Sequence, residues 1–169
     1  MTVPGSSMRP LIRFVGLFAL LFSPLALQAQ REKLPPEDLA IVVQRWPEAK
    51  RTSTGLRTQL LKAGSGERPK PGQLVSVNYK GSLLDGTVFE ENLNPATAFT
   101  FRLGRNVVID GWEEGLQLMQ VGETRLFIIP FELGYGTRGQ SPKIPRRATL
   151  VFEVTLVAMP PDPIPGTAK

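Results

Sequence analysis

A flat aromatic side chain at a strand–helix junction is the feature of this sequence best suited to chemistry. Trp112 follows the apolar residues 107–109 and lies between Gly111 and Gly115, so little bulk surrounds its indole ring. An indole buries a large area, and at such a junction it can form the floor of an apolar pocket or part of the core. Aromatic residues elsewhere favour a pocket, and they are Tyr79, Phe89, Phe99, Tyr135 and Phe152.

The composition removes several common catalytic groups. The chain has 169 residues and contains neither His nor Cys. It therefore has no thiol nucleophile, no histidine general base and no disulfide, and it lacks the commonest metal ligand. The net charge of +5 is mild and scattered, so nucleic-acid binding is not predicted. We predict a reaction without a metal or cofactor.

The N-terminus has the pattern of a secretory signal. Arg9 and Arg13 precede the apolar residues 14–22, and the stretch closes on the small residue Ala29. The apolar run is shorter than the roughly 20 residues of a membrane span. We predict a signal peptide over residues 1–29 and export, in a bacterium to the periplasm. The alternative is a membrane anchor formed by residues 14–29, and a membrane is a partner only in that case.

The rest of the chain divides into three parts. Residues 30–53 form a lead-in, in which Pro36 could begin a short helix that ends before Pro47. Residues 54–158 alternate apolar and polar residues in several runs, and helical spacing is confined to residues 111–119. This pattern predicts an α+β domain with a mostly antiparallel sheet and one short helix. The Pro-rich residues 159–169 are predicted to be a disordered tail.

Two tempting patterns have simpler interpretations. Glu113 and Glu114 point about 100° apart on a helix, so we interpret them as solvated charges rather than a catalytic pair. Residues 134–139 match the dinucleotide motif G-x-G-x-x-G, which must open a helix. Pro142 and Pro145 follow too closely for that, so we interpret the segment as a mobile flap over the pocket.

Five motifs occur together in a fixed order. They are Val77-Asn78-Tyr79-Lys80-Gly81, Asp85-Gly86-Thr87-Val88-Phe89, the run from Val108 to Leu116, Tyr135-Gly136, and Ile144-Pro145 with the run from Ala148 to Val154. From about residue 54 to residue 158 the sequence resembles the FKBP-type peptidyl-prolyl cis-trans isomerases. The resemblance implies an antiparallel sheet half-wrapped around one short helix. It also implies rotation about X-Pro bonds to assist protein folding, Pro-containing polypeptides as substrates, and macrolide inhibitors of the family as candidate ligands.

The resemblance also implies a role for each pocket residue. Trp112 is the floor, the main chain at Val108 and Ile109 binds the ligand, and the Tyr135 hydroxyl donates to a ligand carbonyl. The implied catalytic residues are Tyr79, Phe89, Glu90, Trp112, Tyr135 and Phe152. The implied substrate-binding residues are Phe99, Val108, Ile109 and Ile144.

Four positions depart from the family pattern. Glu90 replaces the usual Asp, Pro95 an Arg, Gln140 a His, and Lys143 an apolar residue. Of these, Glu90 and Lys143 keep open a second hypothesis, a non-catalytic binding module or chaperone for Pro-containing segments.

The expected chemistry suits an apolar pocket. Rotation about an X-Pro bond crosses a barrier of about 18–20 kcal/mol but breaks no bond. The twisted transition state loses amide resonance and is less polar, so a dry site favours it over the planar ground state. We therefore predict catalysis without a covalent or acid–base step.

Overall fold

The computed structural model describes residues 32–162. The predicted signal peptide and residues 163–169 of the predicted tail lie outside the described residues. The elements, in chain order, are α1 (Pro36–Arg45), β1 (Lys50–Arg51), β2 (Arg57–Lys62), β3 (Leu74–Leu83), β4 (Val88–Asn92), a 3₁₀ turn (Pro95–Thr97), β5 (Phe99–Arg102), α2 (Asp110–Gln117), β6 (Thr124–Ile129), a 3₁₀ turn (Phe131–Leu133) and β7 (Leu150–Ala158). Among these residues, no helix is long and apolar enough to cross a membrane.

One antiparallel sheet organises the fold. Its strands run in the order β1-β2-β6-β7-β3-β4, and β5 also pairs with β3. The ten-residue strand β3 is long enough to pair with β5 along its first half, with β4 along its second half, and with β7 on its other side. The predicted α+β fold with a mostly antiparallel sheet is confirmed.

Two glycines explain how α2 approaches the sheet. A Cβ atom at Gly115 would lie 2.6 Å from the ring of Phe127, and one at Gly111 would lie 2.7 Å from Ile129. The helix therefore lies directly on β6, and Trp112 and Leu116 enter the main core between α2 and the sheet. The spacing Gly-Trp-x-x-Gly thus allows α2 to pack on β6, and it also marks the strand–helix junction in the sequence.

A second, smaller core covers the opposite face of the sheet. Val42 of α1 and Leu34 pack against Leu126, Ile128 and Val151. The predicted lead-in helix is present, and its docking is stronger than its sequence indicates. The predicted boundary at residue 54 stays a prediction, although the contacts on this face join the two segments.

Polar contacts reinforce the docking of the lead-in segment. The Thr149 hydroxyl donates to Asp38 at 2.6 Å. Glu32 forms an ion pair with Arg57 at 2.7 Å. These contacts tie α1 to the end of the loop that precedes β7, and they tie the start of the described chain to β2.

The first residues of the predicted tail also lie on the domain. Met159 packs against the main core, and Asp162 forms an ion pair with Arg102 at 2.7 Å. The last strand, β7, ends at Ala158.

Candidate active site

The main cavity lies between α2, the concave face of the sheet and the loops on either side. Its volume is about 520 Å³. The residues that line it are Tyr79, Glu90, Phe99, Asn106, Val107, Val108, Ile109, Trp112, Tyr135 and Phe152. Eight of the ten residues named from the sequence therefore meet at one cavity.

Two aromatic walls stand at nearly right angles to the floor. The ring centroids of Tyr79 and Trp112 are 5.0 Å apart with an interplanar angle of 81°, and those of Trp112 and Phe152 are 5.3 Å apart at 82°. Phe99 stacks on Phe101 at 5.1 Å. Edge-to-face contacts of this kind add stability beyond the buried area and fix each ring. The result is a box of aromatic rings with Glu90 and Asn106 also at its lining.

The floor of this box is buried. Trp112 is 4% exposed, and its indole N–H has no hydrogen-bond acceptor among the residues of the described range. A buried Trp usually finds such a partner. The floor therefore contacts Tyr79 and Phe152 at nearly right angles and has no polar anchor among the described residues.

One carboxylate faces both tyrosines at the cavity. Burial, the negative charge of Glu90 and a hydrogen bond to its carboxylate raise the pKa of Tyr79 to about 12. Burial and the charge of Glu90 also raise the pKa of Tyr135. Both hydroxyls therefore stay protonated at neutral pH, and each can donate a hydrogen bond.

Glu113 holds one wall of the cavity. Its carboxylate accepts hydrogen bonds from the backbone N–H of Gly104 at 2.6 Å and of Asn106 at 3.0 Å. These bonds fix the loop that carries Asn106 and Val107, two cavity residues that sequence reasoning missed. Glu113 is partly exposed in the first turn of α2, as predicted, and the sequence interpretation missed only its bonds to this loop. Its place in the first turn of α2 gave no sign of the loop it would reach.

Asn78 holds the opposite wall. This residue of β3 is buried, and its side-chain amide donates to the carbonyl oxygens of Asn92 and Asn94, each at 3.0 Å. The loop so held joins Glu90 on β4 to Phe99 on β5. A polar residue between the apolar Val77 and Tyr79 of a long strand was the only signal that sequence reasoning had for it.

Phe89 and Ile144 do not line the main cavity. They line a second cavity of about 280 Å³, together with Glu90, Gln140, Ser141, Pro142 and Lys143. Ile144, which the resemblance implied to be a substrate contact, is 3% exposed. Phe89 still supports the main cavity, because its ring contacts that of Phe152 at 5.4 Å.

The segment that follows Tyr135 is a tied loop. The N–H groups of Gln140 and Ile144 each donate to the carbonyl of the other residue, at 2.9 and 2.8 Å. Within the described range no helix begins at residues 134–139, so the dinucleotide interpretation is excluded. The predicted mobility of this flap stays a prediction.

Comparison with known proteins identifies the family. The model of the FKBP-type peptidyl-prolyl cis-trans isomerases matches residues 65–157. The chain belongs to this family. The predicted isomerase activity is confirmed at the level of the family.

Individual relatives agree with this assignment. FK506-binding protein 1 of Dictyostelium discoideum is 44% identical over 103 residues, which are 61% of this chain and 96% of that protein. The FKBP-type peptidyl-prolyl cis-trans isomerase FkpA of Escherichia coli K12 is 45% identical over 114 residues, but these are 68% of this chain and only 41% of that protein.

Solved structures show the same fold. The crystal structure of AtFKBP13 matches with a TM-score of 0.64 and 32% identity, over 67% of this chain and 99% of that one. The crystal structure of FkpA from Escherichia coli matches with a TM-score of 0.65 and 40% identity, over 75% of this chain and 57% of that one.

Proposed function

We propose that the main cavity binds X-Pro segments of polypeptides and that the proline ring lies on the indole of Trp112. The observation that carries this proposal is the aromatic box, in which Tyr79 and Phe152 stand edge-on at about 5 Å from a buried tryptophan. A proline ring is small and apolar, and it carries no N–H that would need a partner in the box. Phe99 and Val108 complete the apolar contact with the substrate.

The proposed mechanism is desolvation of the rotating amide. In the planar ground state, resonance polarises the amide oxygen and nitrogen, and water stabilises that polarity. The twisted transition state is less polar, so the removal of water raises the free energy of the transition state less than that of the ground state. The barrier of about 18–20 kcal/mol is lowered without any bond being broken.

Polar groups at the cavity would orient the substrate rather than exchange protons with it. The Tyr135 hydroxyl and the backbone N–H of Ile109 would donate to carbonyls that flank the proline. Glu90 would accept the hydrogen bond of Tyr79 and so fix that ring in the wall. Phe89 would support Phe152 from behind, and Ile144 would anchor the adjoining loop.

A binding and exchange experiment tests these assignments. The peptide Ala-Leu-Pro-Phe is titrated into residues 30–169, and chemical shifts and cis–trans exchange are followed by NMR. We expect shifts at the Trp112 indole N–H and at Ile109, with exchange well above the uncatalysed rate. Exchange without shifts at these residues would contradict the assigned site, and shifts without exchange would favour the binding-module hypothesis.

The proposal includes export and a competing ligand. The basic, apolar and small-residue pattern of residues 1–29 supports secretion to the periplasm of a bacterium and assistance to folding proteins there. Intact mass of the mature protein should show a start near Gln30, and retention of residues 14–29 in a membrane fraction would support the anchor instead. Macrolide inhibitors of the family should compete with the peptide for the main cavity, and an unchanged exchange rate at saturating macrolide would contradict this.

A further inference from the structure

A second cavity adjoins the proposed proline site. It has a volume of about 280 Å³, and Glu90 lines both this cavity and the main one. Consecutive residues of an extended chain are about 3.3–3.6 Å apart along the chain. A polypeptide with its proline on Trp112 therefore has a neighbouring residue within reach of the second cavity. This inference rests on the proposed function.

The base of the second cavity is apolar and fixed. Phe89 and Ile144 are 7% and 3% exposed, so they offer a firm surface for the methylene groups of a side chain. The reciprocal backbone hydrogen bonds between Gln140 and Ile144 close the loop that forms the far wall. The cavity is thus held open by main-chain structure rather than by flexible side chains alone.

The rim of the second cavity carries two opposite charges. Glu90 lies on the strand side and Lys143 on the loop side, and both side chains are exposed. In the part of the chain that the structure describes, these two residues do not form an ion pair with each other. Each charge is therefore placed to act on a side chain that enters between them.

We propose that the second cavity is a side-chain subsite that favours an amide side chain, such as that of glutamine, over a charged one in a residue next to the proline. An amide can donate to the carboxylate of Glu90 and accept from the ammonium of Lys143 at the same time. Its methylene groups lie on Phe89 and Ile144. An acidic side chain is attracted by Lys143 but repelled by Glu90, and a basic side chain meets the reverse arrangement, so either gains less than the amide.

The test compares peptides that differ in one residue. Exchange NMR gives kcat/KM for Ala-X-Pro-Phe and Ala-Leu-Pro-X, with X as Gln, Glu, Lys or Leu, and avoids the sequence preference of a coupling protease. In at least one series the wild-type protein should favour Gln over both Glu and Lys by about threefold, the range of exposed charge interactions. The series that shows this preference identifies which neighbour of the proline enters the cavity.

Charge variants make the test sharper. Lys143→Glu should raise the Lys-to-Glu ratio of kcat/KM in that series by about three- to tenfold. In this variant the attraction of residue 143 for the Glu peptide becomes a repulsion, and its repulsion of the Lys peptide becomes an attraction. Lys143→Met should raise the same ratio by about twofold without introducing a new charge. Lys62→Glu, at an exposed residue of β2 outside both cavities, makes the same change in net charge and should leave the ratio as in the wild type.

The outcomes separate this inference from the proposed function. If the wild-type protein accelerates the Leu peptides but neither series depends on X, the subsite is refuted and the proline site stands. If Lys62→Glu changes the ratio as much as Lys143→Glu, the effect is one of net charge and the subsite is again refuted. If no peptide is accelerated, including the Leu peptides, the proposed function itself fails.

Discussion

Glu113 should control activity through the loop it holds, although it does not line the cavity. In Glu113→Ala the N–H groups of Gly104 and Asn106 lose their shared acceptor, and the wall that carries Val107 and Val108 is no longer fixed. A hydrogen bond to a charged group contributes about 1.5–3 kcal/mol. This carboxylate is partly exposed, so about 1 kcal/mol for each bond is a better estimate. The total of about 2 kcal/mol corresponds to a loss of up to thirtyfold in kcat/KM.

Glu114→Ala is the matched control for this change. Glu114 is the next residue of the same helix turn, but it accepts a hydrogen bond from Thr54 and not from the cavity loop. Both variants remove one carboxylate and add one good helix former, so their effects on helix stability should be similar. kcat/KM is measured by exchange NMR, and the melting temperature is measured beside it. A Glu113→Ala protein within twofold of Glu114→Ala in kcat/KM would refute the positioning role.

Three further predictions follow from particular contacts. Gly115→Ala should destabilise the protein by about 1–3 kcal/mol, because the added methyl group overlaps the buried ring of Phe127; urea denaturation measures this, and an unchanged midpoint would contradict the close approach. Tyr135→Phe should lower kcat/KM by about two- to tenfold, the worth of one net hydrogen bond; a loss of a thousandfold would indicate a chemical role. The pKa of Tyr79 is raised from 10.0 to about 12 in the folded protein, so the unfolded chain loses this proton first. The free energy of unfolding should therefore fall as pH rises from 10 to about 12. Tyr79→Phe should make this fall shallower, and an equally steep fall in the variant would contradict the assignment.

Steric demands explain which parts of the fold could be predicted from the sequence. The alternation of Val75, Val77 and Tyr79 places three side chains on one face of β3, and the structure has all three in or against the main core. Gly111 and Gly115 leave room on either side of Trp112, and this predicted the packed indole. Such patterns can be recognised because they act between neighbours in the chain.

Long-range polar contacts explain what the sequence did not show. Asn78 donates to carbonyls 14 and 16 residues away, and Glu113 reaches back to a loop 7 and 9 residues before it. The type of a polar residue does not indicate which distant backbone group its side chain will bond. The packing of α1 was also underestimated, because the sheet face that it covers is formed by residues about 80 to 110 positions later.

The pH dependence of kcat/KM between pH 6 and 7.5 tests the central claim most directly. The chain has no His and no Cys, so no side chain has its ordinary pKa in this window. If the amide rotates in a dry aromatic cavity without proton transfer, kcat/KM for Ala-Leu-Pro-Phe should stay within about twofold across the window. An essential acid with its pKa near the lower end of this window, or an essential base with its pKa near the upper end, would change kcat/KM by about tenfold per pH unit. A bell-shaped profile, or a sloped one of that size, would contradict the account.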